Sequence, residues 1–457
     1  MTGLNARAAA WVAALSLEDV PQAVVESTKL RILDLVGVML AARPLDLVAA
    51  AKRAALAVDQ GAGARILGDA EDVSPMAAAF VNGVMTAALE FDDTHIESFI
   101  HPTAPVVAVA FPECQRRQLS GRALIEAVLV GSELTCRLGL VTPVRLHTLG
   151  FHPTAVFGVF GGVYGLAKLR GHGAGLIADA IGAAGSLSAG INASFEDGSS
   201  TKMMHVGMAA TGAMRALALA EAGVSGPRPV IDGRFGWFRS HVQGRDDLRF
   251  DVVCDRLGEA WEVLNIASKV HPCAFTMMPH IECALVLRER HAIRPEDVAG
   301  VTCRIGQRSF ATMCEPVADK RRPATTWHGR ISLQHTVAEA LVRGRMDKDA
   351  YAEASLRDPA INAIADLVEY EDDPGTTATR SGGEVAVRLR DGRVVSHRID
   401  DMRGTRANPM AEADILAKFR ANTDGALTPA QAERAAEGFL RLDRLEDVAS
   451  LFHGLAP

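Results

Sequence analysis

Over the first 265 positions, apolar residues recur at helical spacing and rarely alternate in the manner of a strand. Behind Pro21, a residue suited to a first helical turn, Val24, Val25, Leu30, Ile32, Leu33, Val36 and Leu40 leave almost no polar face. A helix that is apolar on every side belongs inside a bundle. Ala- and Leu-rich helical patterns continue through 74–89, 121–139, 154–169, 174–189 and 209–223. The opening stretch from Arg7 to Leu17 carries one basic residue and runs into Glu18-Asp19, so it reads as an amphipathic helix and not as a secretory leader. Gly158, Gly161, Gly162 and Gly165 fall on helical spacing. They serve close helix packing, since no strand precedes them and no GxxxxGK[ST] motif follows.

The pattern changes after Lys269. Residues 301–305 alternate like a strand, and 384–389, Asp391-Gly392 and 394–399 read as a hairpin with a two-residue turn. Helical patterns at 279–289 and 333–344 accompany them. From Pro409 onward the chain is helical again. The expected fold class is therefore mostly α: a large all-helical domain followed by a smaller α+β domain.

Composition narrows the functional classes. A chain of 457 residues with 48% hydrophobic and 23% charged residues can bury a large core. A net charge of -7 and the absence of a long Lys/Arg run argue against a nucleic-acid partner. The nearest approach to a membrane span, 155–167, is too short and too rich in glycine, so no membrane association is expected. Seven cysteines, an odd number without a CxxC pair, suggest neither a disulfide framework nor a zinc knuckle, and fit a reducing cytoplasm. There is no dinucleotide fingerprint and no HExxH, so neither a cofactor nor a metal is expected.

Four segments set His, Lys or acidic residues beside turn residues. They are Leu89-Glu90-Phe91-Asp92-Asp93-Thr94-His95, with His101-Pro102-Thr103 just after; Gly150-Phe151-His152-Pro153-Thr154; Asp197 to Gly207, which holds Thr201-Lys202 and His205; and Lys269-Val270-His271-Pro272-Cys273. Three of the histidines precede proline, which disfavours helical geometry and moves them to helix ends or loops. In their order and spacing, together with Leu33-Asp34-Leu35-Val36-Gly37, Gly329-Arg330-Ile331-Ser332-Leu333-Gln334 and Asn408-Pro409, these segments resemble the MmgE/PrpD family. That family includes 2-methylcitrate dehydratase, cis-aconitate decarboxylase and iminodisuccinate epimerase.

The resemblance implies a helical domain over 1–265 completed by 408–457, an α+β lid domain over 266–407, a homodimer, and a cleft site for a small polycarboxylate. Thr94, His101, His152, Lys202 and Lys269 match the family's polar site positions. Catalysis is assigned to Lys202, Lys269, His101 and His152, and substrate binding to Thr94, Glu90, Asp93, His205, His271 and His335. Departures from the family pattern occur at Glu90, in place of an aspartate, at Ala274, in place of a histidine, and at His335, in place of a tyrosine.

A hydrogen next to a carboxylate is weakly acidic, so a site of this kind needs fixed cations to hold the developing charge and a base of near-neutral pKa. Each lysine can be that base or a carboxylate clamp. With Ala274 removing a lid acid, and His271, His280 and His335 offering second bases, the sequence favours epimerisation of an iminodisuccinate-like acid. A dehydratase or decarboxylase is the first alternative and a non-catalytic acid-binding relative the second. A metal hydrolase built from His101, His152 and acids near Asp93 lacks a recognisable second shell of ligand partners.

Overall fold

The computed structural model describes residues 3–243, 247–376 and 382–456. It is mostly helical, with a smaller α+β unit. The apolar helix Gln22–Ala42 lies at the centre of the helical part, buried almost throughout from Thr28 to Ala42. The helices Pro75–Ala87, Thr103–Arg117 and Gly121–Leu140 pack on it, and Pro153–Leu169 and Thr201–Glu221 pack on those in turn. Thr201–Glu221 touches both Pro75–Ala87 and Pro153–Leu169, so this long helix is braced from two sides.

Several boundaries differ from the expectations. Thr103–Arg117 is a full helix although it holds Pro105 and Pro112. Pro105 lies in the first turn, where no intrahelical N–H is lost, whereas Pro112 breaks the ladder and is tolerated inside a wholly buried stretch. The helix expected over 174–189 ends at Ala184, and the one expected from 209 already starts at Thr201, which places Lys202 in a helical first turn. The helix Asp46–Val58 was not anticipated.

In the α+β unit four strands form one sheet in the order Val368–Asp372, Val298–Ile305, Gly383–Leu389, Val394–Ile399. The first pair is parallel and the other two are antiparallel. Val368–Asp372 was not expected, because its edge position leaves four of five residues incompletely buried and gives no alternating signal. The expected hairpin is present, but its connection is longer than two residues: Gly392, at φ +90°, lies within a loop that closes through Leu389 N–H to Arg393 O at 2.8 Å. Glycine enters that left-handed region without a Cβ penalty. Helix Met278–His291 covers the hairpin, and Leu333–Arg343 packs on that helix.

The chain then returns to the helical part. Helices Glu412–Thr423 and Pro429–Leu440 both pack on Gln22–Ala42. Lys418 Nζ lies 2.8 Å from Asp34 Oδ1 and donates to the Phe91 carbonyl at 3.2 Å. No helix among the described residues is long and apolar enough to cross a membrane.

The helices Pro75–Ala87 and Thr201–Glu221 approach through Gly83 and Gly207: a Cβ on Gly83 would stand 2.6 Å from the Gly207 nitrogen. Neither backbone can yield without moving its helix. We expect Gly83→Ala to lower the unfolding free energy by about 1–3 kcal/mol. By contrast Gly175→Ala, in open space within a helix, should be neutral or stabilising by up to about 1 kcal/mol. Urea denaturation of both variants distinguishes close approach from a general intolerance of alanine.

Candidate active site

A pairing of two residues with two others joins segments far apart in sequence. Thr94 and His95 form an antiparallel bridge with Ala267 and Ile266, which brings Lys269 alongside the loop that follows helix Pro75–Ala87. That loop begins with Glu90 in a left-handed conformation, φ +51°. Such a backbone is unfavourable for a residue with a Cβ, and here it points both the carbonyl and the carboxylate of Glu90 at Lys269. Lys269 Nζ donates to Glu90 O at 3.0 Å and to Oε1 at 3.1 Å. From the first turn of Thr201–Glu221, Lys202 Nζ forms a close ion pair with Glu90 Oε2. Lys202 also stands 4.9 Å from the centre of the Trp327 ring, which belongs to the α+β unit.

All three groups are buried. Burial alone would raise the Glu90 carboxyl, but Lys202, Lys269 and His101 outweigh it and hold it far below the ordinary range. Asp92 behaves oppositely. Both of its oxygens are buried without a hydrogen-bond partner, and Lys269 is 3.8 Å away. Burial, with the negative Glu90 adding to it, pushes the Asp92 carboxyl up despite Lys269. Asp93 is also pushed up by burial, to about 6, against the opposing influence of Arg31 at 3.7 Å. It accepts from Thr103 Oγ1 at 2.5 Å.

The histidines form a row. His101 Nδ1 lies 2.9 Å from the Asp93 carbonyl and 3.1 Å from Thr94 Oγ1. A carbonyl only accepts, so Nδ1 carries the hydrogen and Nε2 carries the lone pair. Nε2 is 3.7 Å from Glu90 Oε1. His152 caps the start of helix Pro153–Leu169, and its ring lies 6.2 Å from that of His101. Its Nδ1 is 2.9 Å from His205 Nδ1, so one of these rings donates and the other accepts. Burial, with Lys269 and Lys202 next, holds His101 well below its usual pKa, and burial with Lys202 does the same to His152. His205 is lowered to about 4 by the same two causes. The row is neutral at pH 7.

These groups face a cavity of about 120 Å³ between the helical part and the α+β unit. A cavity of ~150 Å³ takes up a benzene ring, so this space is on the scale of a small organic molecule. Glu90, Thr94, His101, His152 and Lys202 line it. Lys269 stands behind Glu90, Asp93 behind His101, and His205 behind His152. The lid candidates lie elsewhere: His271 bonds the Met346 carbonyl at 2.9 Å and His280 the Arg304 carbonyl at 2.8 Å. His335 is wholly buried, 3.3 Å from Glu339. Matching a family position does not specify which way a side chain points, and these three point into the α+β core.

Two ionisable residues of the wall were not among the sequence candidates. His147, lowered to about 4 by burial and then by Lys202, lines the cavity between Phe99 and Phe195. Arg308 lines it from the turn after strand Val298–Ile305. Neither sits in a motif. The wall on that side is Ala274, Phe275, Thr276, Arg308, Ser309, Thr312 and Met313. Among the described residues no three His, Cys, Asp or Glu side chains gather in a way that could hold a metal ion.

Comparison with known proteins gives a consistent picture. Residues 6–249 match the family model of the MmgE/PrpD N-terminal domain and 271–444 that of the MmgE/PrpD C-terminal domain. A cis-aconitate decarboxylase of Aspergillus terreus is 24% identical, covering 98% of this chain and 95% of its own length. The cis-aconitate decarboxylase of Homo sapiens is 26% identical over 82% of this chain and 78% of its own length.

The cluster sets a pH dependence for stability. A carboxyl raised by folding makes the native state the better proton binder between its ordinary pKa near 4 and its folded one. Asp92 and Asp93 therefore contribute stability that is present below about pH 4 and lost as pH rises through about 6. Lys269→Met leaves Glu90 and Asp92 one cation short. It should cost about 3–5 kcal/mol at pH 7.5, and less at pH 5, where Asp92 takes up a proton. Denaturation midpoints at the two pH values measure this; an equal loss at both would exclude Asp92 as the group involved.

Proposed function

The chain belongs to the MmgE/PrpD family, and we propose that it is a cofactor-independent lyase acting on a small polycarboxylate, with decarboxylation of a cis-aconitate-like acid as its reaction. Its working unit is taken to be a cytoplasmic homodimer, with the site between a helical domain (1–265 and 408–457) and a lid (266–407). One observation carries the choice over epimerisation. Among the described residues lining the cavity, every carboxylate, imidazole and amine, namely Glu90, His101, His147, His152 and Lys202, comes from the helical side, and the α+β side contributes only arginine, hydroxyl and apolar groups. Epimerisation needs a base on each face of the carbon, whereas a lyase needs proton transfer on one. The sequence expectation of second bases at His271, His280 and His335 loses its footing, since none reaches the cavity. The names of the relatives also support the lyase reading.

In such a reaction the bond to the departing carboxylate breaks, carbon dioxide leaves, and the electron pair spreads toward a remaining carboxylate. Lys202 stands where it can donate to that carboxylate as its charge grows. The carbanion then takes one proton. His101 is arranged to move it: the Nδ1 hydrogen is held by the Asp93 carbonyl, so the Nε2 lone pair is the position that takes up a proton and passes it to the carbanion. A bound polyanion raises the affinity of this depressed imidazole for a proton. Glu90 holds Lys202 and Lys269 in place.

Proton NMR in deuterated water tests the proposal with three acids offered separately: cis-aconitate, 2-methylcitrate and one enantiomer of iminodisuccinate. We expect cis-aconitate to lose carbon dioxide and the product to carry solvent deuterium at a single carbon. Inversion of iminodisuccinate with no lyase product would restore the epimerase reading. Lys202→Ala and Lys269→Ala should each reduce turnover at least ~100-fold, on the scale of removing one electrostatic stabiliser. Near-wild-type turnover in either variant would remove that lysine from the site.

A further inference from the structure

Both lysines of the site already share the single carboxylate of Glu90, which leaves them a net charge of only about one unit for a substrate. A substrate with two or three carboxylates therefore needs another cation, and the opposite wall supplies it. Arg308 is exposed, lines the cavity, and makes no hydrogen bond or ion pair among the described residues. It sits on the one-turn segment Gln307–Ser309, between strand Val298–Ile305 and the turn Phe310–Cys314.

Arg308 also borders a second chamber of about 240 Å³, which shares Phe99, Phe275, Thr276 and Ser309 with the first and continues to Asp372 and Asp373. Those aspartates are occupied. Asp372 Oδ1 accepts the Gln307 amide at 3.0 Å, and Asp373 Oδ2 pairs with Arg398 at 3.0 Å. Arg308 thus stands at the boundary between the chambers with its fork unclaimed, although carboxylates are near.

We infer that Arg308 is a specificity-determining clamp that grips the substrate carboxylate farthest from Lys202, and that it makes the site prefer tricarboxylates over dicarboxylates. A guanidinium presents a planar pair of donors matched to a carboxylate, which a lysine in its place does not reproduce. The substrate is held across the cleft, its reacting end against Lys202 and His101 and its far end against the α+β unit. This inference rests on the polycarboxylate reading above.

Isothermal titration with unreactive acids tests it. Tricarballylate, a saturated tricarboxylate, and glutarate, of the same chain length with one carboxylate fewer, are titrated into wild type, Arg308→Ala and Arg308→Lys at one ionic strength. Wild type should bind tricarballylate more tightly than glutarate. Arg308→Ala should weaken tricarballylate binding about ten- to a hundredfold, the scale of a charge-assisted hydrogen bond, and erase the preference. Arg308→Lys should fall between. For the turnover substrate, KM should rise in Arg308→Ala by a larger factor than kcat falls. Unchanged tricarballylate affinity in Arg308→Ala, with wild type binding normally, overturns the clamp alone. A wild type that binds neither acid at millimolar concentration overturns both the clamp and the polycarboxylate reading.

Discussion

Two lysines buried side by side repel each other and lose their hydration, and a single carboxylate between them makes the arrangement tolerable. Glu90 receives Lys202 on one oxygen and Lys269 on the other, and its backbone carbonyl receives Lys269 again. Burying isolated charges is strongly unfavourable, and a pair or triad compensates only when its geometry is good and the remaining donors are satisfied. The left-handed turn at Glu90 is what gives one residue three contacts with these cations. The neighbouring groups respond to the same charges: Asp92 is driven toward its neutral form, and His101 and His152 are kept neutral.

The division of labour across the cleft follows from the two kinds of structure that form its walls. The helical side offers helix ends and the loops between them, where His152 and Lys202 start helices and Glu90 follows one. Such positions fix a side chain closely, which suits proton transfer. The other side offers a turn leaving an inner strand of the sheet, with an arginine, three hydroxyls and a phenylalanine. That wall can vary in size and charge without disturbing the reacting groups, a natural place for substrate choice to reside.

Much of this was legible in the sequence. The all-round apolar pattern behind Pro21 announced the buried central helix, and the glycines at 158, 161, 162 and 165 are packed against neighbouring helices. Thr103–Arg117 was hidden by its two prolines, and the edge strand Val368–Asp372 by its polar, half-exposed residues. Within the candidate site, His101, His152, Lys202 and Lys269 were singled out because they stand in recognisable segments; the structure gathers His101, Lys202 and Lys269 around Glu90 and sets His152 beside His101. His147 and Arg308 were missed because a lone histidine or arginine has no local signature. His271 and His335 were misjudged because one-dimensional position carries no direction: each lies in the appropriate unit and faces away from the cleft.

The contact between Lys418 and the early part of the chain bears on how the protein is made. Asp34 and the Phe91 carbonyl, one residue beyond Glu90, take their cation from a helix 384 and 327 positions later. While the polypeptide is still being synthesised, the central helix therefore carries a carboxylate without its counter-ion, and burial pushes that carboxyl toward its protonated form. The loop bearing Glu90 is likewise without its outer brace until the last tenth of the chain has left the ribosome. The helices Glu412–Thr423 and Pro429–Leu440 also cover the apolar central helix Gln22–Ala42, so both its burial and the pairing of Asp34 wait for the late helices to fold back onto the early part of the chain.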